Sequence, residues 1–259
     1  MKYKLIATDF DGTLVNDEGN VTKRTREALV KKKEENYKII GVTARALESA
    51  KKIGDISFFD FLILNNGAFI YDVENNSAKY INKIPNEQAK RITEEMDEVS
   101  TQIDYCSGTC YYIYKNQNND NPYFIKNVDK IEEVPEAIAK INIYLKEPEK
   151  IEYYKEKITG LFPDISCLIM QDSYDTKKWL VLTPKGLNKK TSLQQLGKEQ
   201  GISLEEMIFF GDGPNDKETI KAVSCGVAMG NALEEVKREA DYITSSNNED
   251  GIAHFLEKM

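Results

Sequence analysis

Lys4-Leu5-Ile6-Ala7-Thr8-Asp9-Phe10-Asp11-Gly12-Thr13-Leu14 runs from a short apolar, β-favouring stretch straight into two aspartates and a glycine. The composition predicts a buried strand over 4–8 that ends at Asp9, with a turn at Gly12. Thr22 stands where it can cap a helix reaching about 36, and 37–42 reads as a second buried strand. Phe61-Leu62-Ile63-Leu64 is a third, closed by Asn65-Asn66-Gly67. Strands alternating with helices in this way predict an α/β fold with a parallel sheet.

The rhythm changes between 85 and 184. A helix is expected over 86–100, then two strands around Ser107-Gly108 and an acidic, proline-punctuated stretch. A strand at 140–145, a helix over 148–160 and strands at 165–170 and 179–182 follow. That order predicts an α+β unit with an antiparallel sheet. The α/β rhythm then resumes with a helix from Asn188 to about 200 and a strand, Met207-Ile208-Phe209-Phe210, ending at Gly211-Asp212. Further strands are expected at 226–229 and near Tyr242. The expected organisation is a Rossmann-like core from 1–83 and 185–259, split by an inserted α+β cap at 84–184, with hinges at 81–85 and 182–186.

Composition narrows the function classes. The net charge of −8 and the interleaving of lysines with glutamates leave no basic face for nucleic acid. Lys31-Lys32-Lys33, the densest basic cluster, reads as a solvated helix end. No run of about 18 apolar residues is present to span a membrane, and the N-terminal residues lack a signal peptide's apolar stretch. A cytoplasmic protein is expected. Cys106, Cys110, Cys167 and Cys225 lack the spacing of a zinc site and read as reduced thiols. The single histidine, His254, reads as a surface or packing residue of the last helix. The chemistry therefore falls to carboxylates.

In parallel α/β sheets, ligands bind beyond the carboxyl ends of the strands. Asp9 and Asp11 follow the first strand, Thr43 the second, and Asp212 and Asp216 the strand after the insertion. Asp9-Phe10-Asp11-Gly12-Thr13-Leu14 resembles the first motif of the haloacid dehalogenase (HAD) superfamily. Gly41-Val42-Thr43-Ala44-Arg45 resembles the second, Lys189 the third, and Gly211-Asp212-Gly213-Pro214-Asn215-Asp216 the fourth. Asn66-Gly67-Ala68, Ala228-Met229-Gly230-Asn231-Ala232 and Asn247-Asn248-Glu249-Asp250-Gly251 are similar to the Cof-like branch, whose cap is of class II, subtype B. The resemblance covers the whole chain, and its middle third is the least diagnostic.

The resemblance implies a Mg²⁺-dependent phosphatase acting on a small phosphorylated metabolite, such as a sugar phosphate or a phosphorylated cofactor. Asp9 would be the nucleophile and Asp11 the acid and base. An alkoxide leaving group needs a proton, which is the chemical reason for a second aspartate two residues on. Mg²⁺ would be held by Asp9 and Asp212, by the Asp11 main-chain carbonyl, and by Asp216 through its water shell. Thr43, Lys189 and Asn215, with backbone amides near Phe10, Asp11 and Ala44, would bind phosphate. Arg45 and Asn66 would line the substrate pocket.

Two positions depart from the family pattern. Ala44 replaces a glycine, and Lys190 replaces the glycine after the third-motif lysine, which leaves open whether Lys189 or Lys190 faces the phosphate. Tyr111, Tyr112, Tyr114 and Trp179 read either as a ring-stacking wall or as packing residues. A monomer or weak homo-oligomer is expected. A phosphomutase or phosphotransferase, and a non-catalytic ligand-binding regulatory protein, are the competing readings.

Overall fold

Residues 5–8 are apolar or β-branched and wholly buried, and they form the first strand, β1 (Leu5–Thr8). The computed structural model describes residues 2–115, 125–135, 137–171 and 177–259. After β1 come α1 (Lys23–Glu34), β2 (Lys38–Val42), the single turn α2 (Leu47–Ala50), β3 (Phe61–Leu64), β4 (Phe69–Asp72) and β5 (Ser77–Ile81). The middle of the chain holds α3 (Asn86–Met96), β6 (Ser100–Cys106), β7 (Tyr111–Tyr114), β8 (Ile125–Val128) and β9 (Lys140–Leu145). Next are α4 (Ile151–Leu161), β10 (Ile165–Gln171) and β11 (Lys178–Pro184). The chain ends with α5 (Lys189–Glu199), β12 (Met207–Gly211), α6 (Lys217–Ala222), β13 (Cys225–Ala228), α7 (Glu234–Lys237), β14 (Tyr242–Ile243) and α8 (Gly251–Leu256).

The chain divides into two compact units. The first comprises Met1–Ala44, Ala50–Lys79 and Asn188–Met259, and the second Arg45–Ser49 and Tyr80–Leu187. The first is an α/β, Rossmann-like unit, and the second is an α+β unit inserted in it.

In the first unit the sheet order is β14-β13-β12-β1-β2-β3-β4-β5. From β14 to β3 every pairing is parallel. Those strands are buried along almost their whole length except β14, as expected where helices cover both faces. Strand order runs outward in opposite directions from β1, through β2 to β3 on one side and through β12 to β14 on the other. The β1/β12 junction is therefore a topological switch point, where a crevice opens beyond the strand ends. The β4 strand departs from the all-parallel expectation and pairs antiparallel with β3. The tight turn Asn65-Asn66-Gly67, with φ of 50°, 57° and 104°, sends the chain straight back.

The basic cluster of α1 is less solvated than its charge suggests. Lys32 is buried and bonds Glu35 at 3.0 Å, and the Lys33 ammonium donates to the carbonyls of Phe58 and Phe59 at 3.1 and 3.3 Å. The helix end lies on that loop, and long lysine stems pack there while their heads satisfy its carbonyls.

In the second unit the sheet order is β10-β11-β9-β6-β7-β8. All its pairings are antiparallel except β7 with β8, which is parallel. Helix α3 stops at Met96, short of the expected 100, because Val99 accepts from Lys146 N and begins the β6/β9 pairing. One face of this sheet is apolar. Ile103, Tyr105, Ile141, Ile143, Leu180 and Leu182 pack there with Ile92, Met96 and Ile158 of α3 and α4. Tyr112 joins that core with Tyr114 packed against it, whereas Tyr111 points to the opposite face by strand alternation. Trp179 stacks on Tyr144 with ring centroids 5.8 Å apart. The four aromatics therefore form no single wall. All four cysteines are free thiols.

Candidate active site

Asp9 is the first residue beyond β1, and its amide continues the ladder to the Phe210 carbonyl at 2.9 Å. The chain then turns sharply, with Leu14 N bonding the Asp9 carbonyl and Val15 N bonding the Phe10 carbonyl. Gly12 makes this turn possible. Its φ is +74°, and a Cβ there would sit 2.9 Å from the Asp212 carboxyl carbon. The Phe10 ring is fully buried and stacks on Phe59 at 5.6 Å, so the residue offers the site only its backbone.

Asp212 follows β12 and accepts a hydrogen bond from Thr13 Oγ1 at 2.8 Å. Asp216 ends the same loop, and its Oδ2 accepts from the amides of Asp212 and Gly213 at 3.2 and 3.0 Å. Gly211 is required here, because a Cβ would fall 2.6 Å from the Asp216 Cβ. Lys189 opens α5 after an Asn188 cap that bonds Thr191 reciprocally. Its ammonium lies 2.7 Å from Asp9 Oδ1 and 2.8 Å from Asp216 Oδ1, and it is 2% exposed. Lys189, not Lys190, is thus the lysine at the carboxylates.

Oxygens of Asp9, Asp212 and Asp216 lie within 4.8 Å of one another. Burial, then the neighbouring Asp216 charge, pushes the Asp9 carboxyl well above the usual range, while Lys189 opposes the shift. The same two causes push Asp212 up to about 6. Burial alone would lower the Lys189 pKa, but Asp216 and Asp9 hold it above its ordinary value. One lysine thus faces three acids. An all-oxygen set crowded this closely fits a hard divalent cation, whose charge would let all three ionise.

The remaining residues singled out in the sequence fall as follows. Asp11 is exposed, two residues past Asp9, and forms a bridge with Val15. Thr43 is fully buried just beyond β2, its amide bonded to Ile63 O at 2.8 Å and its carbonyl accepting from Asn66 N at 3.1 Å. Ala44, half-buried, is the last residue of its segment of the first unit. Asn215 Nδ2 donates to Asn66 Oδ1 at 3.3 Å, and the Asn66 Nδ2 is buried with no partner. Arg45 belongs to the second unit, where its Nη1 donates to Ser49 O at 3.3 Å.

The sequence reading assigned no task to Thr13, Asn231 or Asn247. Asn231 Nδ2 donates to Gly12 O at 2.8 Å and its Oδ1 accepts from Asn247 N at 3.1 Å. Asn247 Nδ2 donates to Val15 O at 3.0 Å. These side chains splint the loop that carries Asp9 and Asp11. Asn231 and Asn247 stand in the Cof-like segments quoted above, which was the signal available. His254 takes no part. Its Nδ1 meets Ser245 Oγ at 3.0 Å and its Nε2 meets Arg24 Nη1 at 2.7 Å.

Among proteins of known sequence, the 5-amino-6-(5-phospho-D-ribitylamino)uracil phosphatase YitU of Bacillus subtilis is 27% identical over 268 residues, covering 99% of this chain and 97% of that protein. The enzyme of the same name YcsE, from the same organism, is 29% identical over 256 residues, covering 96% and 93%. A haloacid dehalogenase-like hydrolase from Bacteroides thetaiotaomicron superposes with a TM-score of 0.82 at 30% identity, covering 99% of both chains. A sugar phosphatase of HAD subclass IIB superposes with a TM-score of 0.80 at 26% identity, covering 98% of both. Among the described residues no helix is long and apolar enough to cross a membrane. Residues 6–256 match the model of the haloacid dehalogenase-like hydrolases, and the chain belongs to that family.

Proposed function

We propose that this protein is a Mg²⁺-dependent phosphatase that hydrolyses small phosphate monoesters through an aspartyl-phosphate on Asp9. The observation that carries this reading is the meeting of Asp9, Asp212 and Asp216 around Lys189 at the switch point of the sheet. Asp9, Asp212 and Asp216 would hold Mg²⁺, with the Asp11 carbonyl. The bound ion offsets the repulsion between phosphoryl oxygens and an incoming carboxylate.

An oxygen of Asp9 attacks phosphorus, and the bond from phosphorus to the ester oxygen breaks. The departing alkoxide takes a proton from Asp11. Asp11, now ionised, takes a proton from water as that water attacks the phosphorus of the aspartyl-phosphate. The bond from phosphorus to Asp9 breaks and inorganic phosphate leaves. Lys189 and Thr43 stabilise the equatorial oxygens, together with backbone amides near Phe10, Asp11 and Ala44. Asn66 adds a donor, since its Nδ2 is buried without a partner.

Three relatives bear names of phosphatases for a phosphorylated ribityl compound or a sugar phosphate, which supports a phosphorylated sugar or polyol as the substrate class. The test is inorganic phosphate release from a panel of phosphorylated sugars and polyols, with Mg²⁺ or EDTA, for wild type and Asp9→Asn. Metal-dependent release that the variant loses is expected. Transfer of the phosphoryl group to a second sugar without release of phosphate would make the protein a phosphotransferase instead.

A further inference from the structure

The loop after β1 carries Asp9 and Asp11, and at Gly12 its backbone takes a φ of +74°. Glycine leaves the chain free to turn in either sense, so the loop needs fixing from outside. The strand ladder fixes it at Asp9 N, and the side chains of Phe10, Leu14 and Val15 are buried. Asp11 itself is exposed, and its backbone bridges Val15. Where the Asp11 carboxyl stands therefore depends on what holds Gly12 and Val15. Packing anchors the Val15 side chain but leaves the direction of its carbonyl open, and a hydrogen bond sets that direction.

Both carbonyls are held from the C-terminal part of the first unit. Asn247 is 6% exposed, and its side-chain nitrogen has two hydrogens to give. Nδ2 donates to Val15 O at 3.0 Å and to Asp17 Oδ1 at 3.2 Å. Asn247 N donates to Asn231 Oδ1 at 3.1 Å, and Asn231 Nδ2 donates to Gly12 O at 2.8 Å. Asn247 opens a single turn closed by a reciprocal Ser246–Glu249 pair, which keeps it in place. Asn248 supplies a contrast. It is exposed and pairs with Asp17, its Nδ2 donating to Oδ2 at 2.8 Å and its Oδ1 accepting from Asp17 N at 3.0 Å.

We propose that Asn247 is a positioning residue for Asp11: through Val15 O, and through Asn231 on Gly12 O, it sets where the Asp11 carboxyl stands. The catalytic consequence rests on the phosphatase reading. The hold on the loop does not.

The test compares Asn247→Ala and Asn231→Ala with Asn248→Ala, in the full chain with Mg²⁺. Turnover is read on an alkyl phosphate, whose leaving oxygen needs a proton, and on an aryl phosphate, whose good leaving group needs little help. Hydrogen exchange of the peptide covering 10–17 reports the loop, and the thermal midpoint reports folding. In Asn247→Ala, exchange at 13–15 is expected to quicken about fivefold, the scale of one lost hydrogen bond. Alkyl turnover should fall by about 10–100-fold, the cost of a displaced acid, with KM within about twofold of wild type. Aryl turnover should fall much less. Asn231→Ala, at an exposed position, should shift the ratio of the two turnovers in the same direction. Asn248→Ala should leave that ratio at the wild-type value.

Equal losses on both esters, the mark of a merely disturbed loop, overturn the assignment. So does an unchanged ratio in Asn247→Ala, or one shifted as far in Asn248→Ala. Should Asn247→Ala not fold, the ratio in Asn231→Ala decides. A wild type that releases phosphate from neither ester defeats the phosphatase reading, and the exchange measurement still decides whether Asn247 holds the loop.

Discussion

Lys189 places its ammonium 2.7 Å from Asp9 across 180 residues of sequence, and the same nitrogen lies 2.8 Å from Asp216. Two halves of the core separated by an inserted unit are joined by one buried cation. Removing it leaves two buried carboxylates without their counter-charge. Lys189→Met is therefore expected to lower unfolding free energy by about 3–5 kcal/mol, the usual cost of breaking a buried pair. Urea unfolding measures the loss, and phosphate release from an ester measures the accompanying loss of activity.

Asp11 is exposed, in contrast to the three clustered acids. Asp11→Asn is expected to leave the thermal midpoint within about a degree of wild type, since exposed positions rarely carry stability. Its turnover of alkyl esters should fall by about 10²–10⁴, the range of general acid–base catalysis. An aryl ester with a good leaving group should suffer less. Equal losses for both esters would remove Asp11 from the acid role.

Gly12 combines a φ of +74° with a close approach to the Asp212 carboxylate. Gly12→Ala must strain the backbone and push Asp212 away from Thr13. A loss of about 1–2 kcal/mol is expected from the backbone alone. A weaker response to Mg²⁺ in the thermal melt would report the displaced carboxylate. A wild-type Mg²⁺ response would show that the collision is relieved elsewhere.

The acid cluster also predicts a pH dependence of stability. Asp212 is raised to about 6, so the folded protein binds its proton more tightly than the unfolded chain does. That contribution is complete below the ordinary carboxylate value of about 4 and is lost as pH rises through about 6. In EDTA, stability from this group should fall between about pH 4 and 6. Mg²⁺ favours the ionised carboxylates and should flatten or reverse that slope. Urea midpoints measured across this range with and without the metal decide it.

In the second unit, burial raises the pKa of Asp104 despite its hydrogen bonds from Gln102 and Asn142. The Asn142 Oδ1 beside it is buried with no partner. The amide introduced by Asp104→Asn carries no charge to desolvate and keeps an oxygen to accept from Gln102. It is expected to stabilise the protein by about 1 kcal/mol at neutral pH, with less gain in acid, where Asp104 is itself protonated. A lower melting point at pH 7 would show that the charged form is held better than its partners suggest.

Much of this molecule was legible before folding was considered. The run 4–8, the Thr22 cap and the Asn188 cap are local signals, and β1, α1 and α5 begin where those signals put them. Aspartates following apolar strands pointed to the candidate site because ligands collect beyond strand ends in parallel sheets, and the fold brings Asp9, Asp212 and Asp216 together there. The loop splints were harder to see. Asn231 and Asn247 act on backbone carbonyls more than 200 residues away, at Gly12 and Val15, and no local pattern names such a target.

What the sequence determined by itself was the alternation of strands and helices around β1, β2, β3, α5 and β12 and the residue types of the chemistry, all of which are written at spacings of a few residues. The tertiary structure decided which lysine enters the site. Successive helical residues point about 100° apart, so the choice between Lys189 and Lys190 depends on how α5 docks. That docking is set by Ser192 Oγ bonding Gly67 O at 2.9 Å, a contact between distant segments. Tertiary structure also decided that Arg45–Ser49, which follows a core strand directly, belongs to the second unit. Its backbone hydrogen bonds go to a turn some sixty residues later, and only the folded chain brings those acceptors within reach.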